Sequence, residues 1–213
     1  MAGSRSHSET REHLLRAALR QFAYRGYAAA SVQDIVTEAR VSKPALYYHF
    51  RDKAGLFQAL VDQAHDARYR LMQSAVERGA DLRGRLEEIL AASFDFSRRN
   101  RELMRIAFAT AFASPGEMPE GVKYGQKCVR NFEFVHDLMK RAQASGELGR
   151  RFDSEHLAFG FYALLNSYLV SQLLDPESCG PGRDSAAEIV DLFLAGAAAS
   201  KPTRSAAVRR RKG

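Results

Sequence analysis

The segment between residues 40 and 53, RVSKPALYYHFRDK, concentrates hydrogen-bonding side chains that could bind a nucleic acid. Lysine, tyrosine and histidine can donate hydrogen bonds to phosphate oxygens or to the base edges of duplex DNA, and a small apolar side chain can contact a thymine methyl group. The alternative is an ordinary helical hairpin whose polar face is only solvated. The side chains at issue are Lys43, Ala45, Tyr47, Tyr48, His49 and Lys53.

Local signals predict that a helix begins directly after Ser42 and carries this segment. Ser42 is a favourable N-cap, and Pro44 falls in the first turn, where its missing amide would have no intrahelical partner. Val41 and Leu46 have the spacing of a hydrophobic staple, which fixes the angle at which the chain enters the helix. Leu46 and Phe50 then face inward because they are four residues apart, and the polar side chains point outward together.

Two further helices are predicted before this one. An apolar stripe of helical period predicts a first helix over residues 10–25, with Thr10 as its cap and Gly26 as its stop. Ser31 and Asp34 fit a capping box, so a short second helix follows. Two short helices joined by a tight turn form a helix-turn-helix, whose second helix can enter the DNA major groove.

The formal charge of +7 is concentrated at the two ends of the chain. Residues 1–53 carry 9 Lys/Arg and 5 Asp/Glu, residues 54–200 carry 17 and 20, and residues 201–213 carry 6 and none. A basic first segment joined to a slightly acidic body is typical of a protein that meets a polyanion at one end. The basic tail is predicted to be disordered, either merely solvated or in nonspecific contact with phosphate.

The rest of the sequence predicts an all-α protein with about nine helices, since helical periodicity recurs and no convincing alternating strand appears. Glycine and proline separate the helices of the body. The fourth helix should turn Leu56, Leu60, Ala64, Ala67 and Leu71 toward the core. The predicted helices beyond the third lie near 53–78, 82–99, 101–113, 119–145, 154–174 and 184–199.

The sequence predicts a cytoplasmic location and no cofactor or metal. No apolar run reaches the roughly 18 residues needed to cross a bilayer, and the N-terminus lacks the apolar core of a signal peptide. Cys128 and Cys179 lie far apart without metal-ligand spacing, so reduced packing residues are expected. No phosphate-binding loop, G-x-S-x-G or H-E-x-x-H motif appears, which argues against the common enzyme classes.

Residues 10–56, TREHLLRAALRQFAYRGYAAASVQDIVTEARVSKPALYYHFRDKAGL, resemble the DNA-binding domain of the tetracycline-repressor (TetR/AcrR) family of bacterial regulators. The resemblance runs through linked signals from Phe22 to Lys53 and covers about a quarter of the chain. It implies four regions. They are a flexible N-terminus at 1–9, a helix-turn-helix domain at 10–53, a helical effector-binding and dimerisation domain at 54–200, and a disordered basic tail at 201–213.

Matched residue by residue, the resemblance implies a DNA-contacting surface with separate roles. The implied base-reading positions are Gln33, Lys43, Pro44, Ala45 and Tyr47, with His49 beside them. Tyr48 and Lys53 match positions that contact the DNA backbone, and Ser42 begins the reading helix.

Three departures from the family pattern are Arg40 where glycine is usual, Pro44-Ala45 where Gly-Thr is common, and Gly55 where an acidic residue is frequent. If residue 40 keeps a left-handed backbone conformation, arginine there carries a cost of roughly 1 kcal/mol. The missing hydroxyl at position 45 means that the sequence preference of relatives cannot be transferred to this chain.

The resemblance also implies a dimer and a pocket for a small-molecule effector. The helices at 154–174 and 184–199 match the family's intermolecular four-helix bundle, although burial inside one chain is the alternative. The implied interface residues are Tyr162, Leu165, Leu169, Ile189 and Phe193. The implied pocket residues are Met104, Phe108, Phe112, Phe132, His136, Met139, Tyr162 and Asn166, although a Phe/Met stripe at helical spacing is more often plain core.

The resulting prediction is a one-component transcriptional regulator, acting as a repressor that binds a palindromic operator as a dimer and is released by an effector. Two-fold symmetry would let two heads meet half-sites about one helical turn apart. The alternatives are a nonspecific or architectural DNA-binding protein and an enzyme with a buried pocket. The sequence identifies neither the effector nor the operator.

Overall fold

The computed structural model describes residues 6–113, 117–119, 125–175 and 182–197, except for the side chains of 111, 112 and 197. Within these ranges the chain forms nine α-helices and no strand, as the periodicity predicts. The helices are α1 (His7–Ala29), α2 (Val32–Ala39), α3 (Lys43–Phe50), α4 (Lys53–Val76), α5 (Leu82–Arg99), α6 (Arg101–Phe112), α7 (Gly125–Ser145), α8 (Ser154–Leu174) and α9 (Arg183–Ala197).

Helices α1 to α3 and the first turns of α4 form the head, which has its own apolar core. Leu14 and Phe22 of α1, Ile35 of α2 and Leu46 of α3 are buried together in that core, and Phe57 of α4 closes it. Burial of this kind stabilises by about 1.5 to 3 kcal/mol for each large apolar side chain. The head therefore holds α3 against a packed support.

The first helix begins earlier than the sequence analysis predicts. Ser6 caps α1, because its hydroxyl accepts a hydrogen bond from the Glu9 amide and the Glu9 carboxylate accepts one from the Ser6 amide. This capping box adds one turn before Thr10, so residues 7–9 are helical and the predicted helix start at residue 10 is three residues too late. Gly26 interrupts the helix at φ 76°, near the predicted stop, and one further turn reaches Ala29.

The body is built from the rest of α4 and from α5 to α9 around a second apolar core. Phe94 of α5, Met104 of α6, Met139 of α7, Phe161 of α8 and Val190 of α9 are all buried in it. The observed bounds of α5 and α8 coincide with the predicted ones, and α4 and α6 end within two residues of them. Residues 120–124, 198–200 and the predicted tail at 201–213 lie outside the described residues, as does Cys179.

The buried face of α4 agrees with the predicted one at Leu56, Leu60 and Ala64 but departs from it further along the helix. Ala67 and Leu71 are only half-buried, whereas Val61, His65, Arg68 and Met72 are buried. The spacing of 4, 3 and 4 residues in the latter set is that of one helix face, so the polar His65 and Arg68 occupy core-facing positions. Helix α4 runs from the head into the body and contacts helices of both.

Candidate nucleic-acid interface

The recognition surface begins with the support of α3. The Ser42 hydroxyl accepts a hydrogen bond from the Ala45 amide at 3.3 Å, which satisfies one of the free donors at the helix start. Leu46 is 0% exposed and Phe50 is 7% exposed, so both face the head core as predicted. The cap and the two anchors fix which side of α3 faces outward.

The turn between α2 and α3 places an arginine in a backbone conformation that glycine prefers. Arg40 has φ 54° and ψ 47°, which is left-handed, and its amide donates to the Thr37 carbonyl at 3.2 Å. This conformation costs a non-glycine residue roughly 1 kcal/mol or more. Arg40 therefore keeps the left-handed conformation, and its exposed side chain carries a positive charge in the turn that precedes α3.

The outward face of α3 brings most of the predicted DNA-contacting residues onto one surface. Tyr48 is 77% exposed and Tyr47 is 50% exposed. Lys43 and Pro44 are exposed, and Ala45 and His49 are half-buried. Such a surface offers an ammonium, two phenols and an imidazole to a polyanion.

Gln33 lies apart from this group, on the neighbouring helix α2. Its side chain is exposed, and its amide nitrogen donates to the Thr37 hydroxyl at 3.1 Å. A base contact by Gln33 would exchange this bond for one with DNA. Its predicted role stays a prediction.

His7 joins the surface although the sequence analysis does not include it. Its ring centroid lies 4.3 Å from that of His49 and 5.4 Å from that of Tyr48. Desolvation is the main cause that lowers the pKa of His49, and the charges of the nearby His7 and Arg11 lower it further. The capping box at Ser6 and Glu9 is the signal that could have placed His7 on the first helix.

Lys53 has partners within the chain that differ from the predicted phosphate. Its ammonium donates to the carbonyl oxygens of Tyr27 at 2.8 Å and Ala30 at 2.9 Å, and it lies 4.2 Å from the centroid of the Tyr27 ring. Burial lowers the pKa of Lys53. The cation therefore ties the start of α4 to the end of α1, and a phosphate contact would have to compete with these bonds.

Gly55 departs from the family pattern for a steric reason. Arg51 ends α3 at φ 66° and ψ −47°, and the Asp52 carboxylate then accepts from the Gly55 amide at 2.6 Å. In this turn a Cβ atom on residue 55 would lie 2.1 Å from the Phe50 carbonyl oxygen. An acidic side chain at 55 is excluded without a backbone shift, while Asp52 still caps α4.

The described geometry can be compared with known proteins. Residues 14–60 match the family model described as bacterial regulatory proteins, tetR family. The chain is 30% identical over 179 residues to the HTH-type transcriptional regulator TtgR of Pseudomonas putida, covering 80% of this chain and 83% of TtgR. The chain belongs to the tetR family.

Two further likenesses agree with this tetR-family assignment. The HTH-type transcriptional activator FasR of Mycolicibacterium smegmatis is 32% identical over 133 residues, and the match spans 62% of this chain but only 60% of FasR. A putative tetR family transcription regulator from Shewanella sp. PV-4 superposes with a TM-score of 0.69 at 22% identity, covering 89% of this chain and 98% of that one. The chain is thus a DNA-binding transcriptional regulator with a helix-turn-helix head.

The predicted effector-pocket residues of this tetR-family regulator lie in the body, some of them buried in its core and some half-buried. Met104 and Met139 are buried in the body core at 1% and 0% exposure. The half-buried Phe132 and Tyr162 have ring centroids 6.2 Å apart, and the imidazole of His136 contacts the Ser154 hydroxyl at 3.1 Å. Phe112 ends α6, but its side chain lies outside the described residues.

Asn166, which is half-buried, also takes part in a polar cluster that the sequence analysis missed. The Arg68 guanidinium donates to the Asn166 side-chain oxygen at 3.1 Å, and it lies 5.3 Å from the centroid of the Tyr162 ring. Burial lowers the pKa of the neighbouring His65 to about 4, and the positive charge of Arg68 is the second cause of this shift. The core-facing spacing of His65 and Arg68 on α4 is the sequence signal for this cluster.

A cavity of about 680 Å³ lies between the head and the body. Its walls come from the end of α1, the start of α4, the middle of α6, the end of α8 and three residues that follow α6, Ala113, Glu117 and Met118. Phe108 is the only predicted pocket residue among its described lining residues. The predicted location in the interior of the body therefore differs from the location of this cavity.

The predicted dimer residues divide into core and surface positions. Leu165, Leu169 and Ile189 are 0%, 1% and 3% exposed in the single chain, so they belong to its own core. Tyr162 and Phe193 are half-buried. The large apolar side chains that α8 and α9 expose are instead Phe159 at 68%, Leu174 at 80% and Leu192 at 64%.

Proposed function

We propose that this chain is a one-component repressor that binds a palindromic operator as a homodimer and leaves it when a small-molecule effector binds. The supporting observation is the face of α3, where Lys43, Tyr47 and Tyr48 are exposed while Leu46 and Phe50 anchor the helix in the head core. This geometry suits entry into a major groove. The proposal includes a cytoplasmic location and no enzymatic activity.

The dimer part of the proposal rests on apolar surface in α8 and α9. Among the described helices, α8 is apolar enough by length and composition to cross a membrane, as core helices of water-soluble proteins can also be. Only 33% of its most apolar 18-residue window is buried in the chain. Ala163 and Ser167, both exposed, lie one and two turns beyond Phe159 and would let a second copy approach closely. A two-fold pairing here would place two heads on one operator.

The test begins with DNA that lies upstream of the gene and of its neighbours. Binding of the intact protein to these fragments and to scrambled duplexes is titrated at several salt concentrations. Lys43→Ala should weaken operator binding by about 1 to 3 kcal/mol and change binding to scrambled DNA little. Lys140→Ala, at an exposed lysine of α7, is the matched control and should leave both unchanged.

Three other outcomes would contradict the proposal. Equal affinity for operator candidates and scrambled DNA would favour the nonspecific or architectural protein. No loss with Lys43→Ala would mean that this lysine does not read a base edge. An increase in transcription from the bound promoter would reverse the proposed sign of regulation, as the name of the FasR activator illustrates.

A further inference from the structure

We propose that the cavity between the head and the body binds a neutral, mostly apolar small molecule that contains an aromatic ring system, and that this ligand weakens DNA binding by acting directly on the head. The coupling to DNA rests on the function proposed above, whereas the binding site itself does not. The site differs from the predicted pocket in the interior of the body.

The size of the cavity and its lining support a drug-sized ligand. Its volume of about 680 Å³ falls within the roughly 300 to 1,000 Å³ that is common for small-molecule sites. The head contributes Phe22 and Tyr27 to the walls, α4 contributes Phe57, and α6 contributes Phe108. Val170 and Leu173 of α8 complete the apolar lining.

Three of these rings form a cluster that favours an aromatic ligand. The Phe57 centroid lies 5.2 Å from those of Phe22 and Tyr27, and both pairs meet edge to face. Phe22 and Tyr27 lie 5.8 Å apart in a tilted arrangement. Aromatic pairs at such distances gain energy beyond burial, so a planar ring system could extend the cluster.

The charged residues of the lining already have partners, which favours a neutral ligand. Arg25 pairs with the Asp34 carboxylate at 3.2 Å, and the Arg105 guanidinium lies 5.9 Å from the centroid of the exposed Tyr24 ring. Glu117 is also engaged within the chain. A charged ligand group would have to be buried among apolar walls or displace one of these contacts.

The position of the cavity gives the ligand a short route to the recognition helix. Gly26, Ala28 and Ala29, in the last turn of α1, form part of its wall. The carbonyl oxygens of Tyr27 and Ala30 in the same stretch accept hydrogen bonds from Lys53, the first residue of α4. Only Arg51 and Asp52 separate α4 from α3. A ligand that displaces the end of α1 therefore acts on the bonds that orient α3.

The binding experiment uses 1-aminoanthracene, a neutral three-ring amine whose fluorescence rises in apolar sites. The intact dimer or monomer, whichever the protein forms, is titrated without DNA. We expect saturable binding of one probe per chain. Because the chain has no tryptophan, Phe108→Trp introduces a single one, and the bound probe should quench its emission.

Two matched variants, each with an alanine replaced by phenylalanine, locate the site. Ala109→Phe adds a ring at an exposed α6 position that lines the cavity, and it should weaken probe binding at least tenfold. Ala144→Phe makes the same change at an exposed position of α7 outside the cavity lining and should leave binding within twofold. Circular dichroism confirms that both variants are folded. Equal binding by the two variants, or no quenching of the introduced tryptophan in Phe108→Trp, would overturn the site.

A second measurement tests the coupling. Saturating probe should lower the affinity of the wild-type protein for its operator by about 5- to 150-fold, and should have little effect on Ala109→Phe. Probe binding without a change in operator affinity would overturn the proposed coupling to DNA but would still support the cavity as a binding site. A protein that binds the probe but no operator would refute the function proposed above without refuting the cavity as a binding site.

Discussion

The head and the body distribute polar and apolar side chains in opposite ways. Every buried polar or charged residue in the described part of the chain lies in the body portion, beginning with His65 of α4. They are His65, Arg68, Ser93, Ser97, Thr110, Asn131 and Gln172. The large apolar side chains that the head exposes all carry a hydroxyl, namely Tyr24, Tyr47 and Tyr48. Those that the body exposes carry no polar atom, and they are Val129, Phe152, Phe159, Leu174 and Leu192.

This contrast indicates what each part lacks. The head has an apolar core that is complete within the chain, and its aromatic surface can hydrogen-bond to a polar partner such as DNA. The body exposes the apolar side chains of Phe159 and Leu192 to water and buries polar groups in its interior. Its surface is therefore suited to an apolar partner, and its stability depends more strongly on the ionisation of buried groups.

The largest expected effect comes from placing a charge on the apolar surface of the body. Phe159→Glu should weaken self-association by about 3 to 5 kcal/mol, since a central aromatic contact is replaced by a charge that would be buried without a partner. Sedimentation at micromolar concentration measures the shift from dimer to monomer. Val129→Glu, at a side chain 58% exposed on α7, should leave the dimer intact. A wild-type monomer, or equal losses in both variants, would contradict the proposed interface.

The interior of the body should respond strongly to acid. Because the pKa of His65 is lowered to about 4, the unfolded chain binds a proton near pH 6.5 while the folded chain binds it only near pH 4. The free energy of unfolding should be highest above pH 6.5 and should fall by up to about 3 kcal/mol as the pH drops to 4, because only the unfolded chain binds the proton in this range. Denaturant unfolding of wild type and His65→Gln should show this difference, and parallel pH curves would contradict it.

A substitution of Lys53 distinguishes a role of this lysine in stability from a role in DNA contact. Lys53→Met keeps the hydrocarbon chain but leaves the carbonyls of Tyr27 and Ala30 without their partner, so the free energy of unfolding should fall by about 1 to 3 kcal/mol in the absence of DNA. Lys43→Met, at an exposed position, should change it by less than about 0.5 kcal/mol. If Lys53→Met weakens DNA binding but leaves unfolding unchanged, the phosphate contact predicted from the sequence is correct instead.

The smallest expected effect concerns the turn of the head. Arg40→Gly should raise the free energy of unfolding by up to about 1 kcal/mol, because glycine adopts the left-handed conformation at φ 54° without the steric cost. The same change removes a positive charge near α3 and should weaken DNA binding slightly. Thermal unfolding checks the first effect, and an unchanged or lower melting temperature would count against strain at this residue.

The structure of the recognition helix could be predicted because its signals are local. The Ser42 cap, Pro44 in the first turn and the inward Leu46 and Phe50 all lie within nine residues, and the structure agrees with each. Lys53 could not be assigned from spacing, since its partners are carbonyls of residues 27 and 30, which the fold brings to it.

The proposed dimer interface and the cavity could not be predicted from the sequence, for two different reasons. Helix α8 is apolar on all sides, so its pattern cannot indicate that Leu165 faces the chain's own core while Phe159 faces outward. The cavity forms where α1, α4, α6 and α8 meet, and its shape depends on how these helices pack. A Phe/Met stripe such as Met104 and Phe108 looks the same in a sequence whether it lines a core or a cavity.

The capping box that starts α1 has a practical consequence for protein production. It brings His7 within 4.3 Å of His49, measured between ring centroids, on the helix that we propose reads DNA. A polyhistidine tag fused ahead of Met1 would add further imidazoles to the chain only six residues before His7. Binding titrations should therefore use protein from which an N-terminal tag has been completely removed.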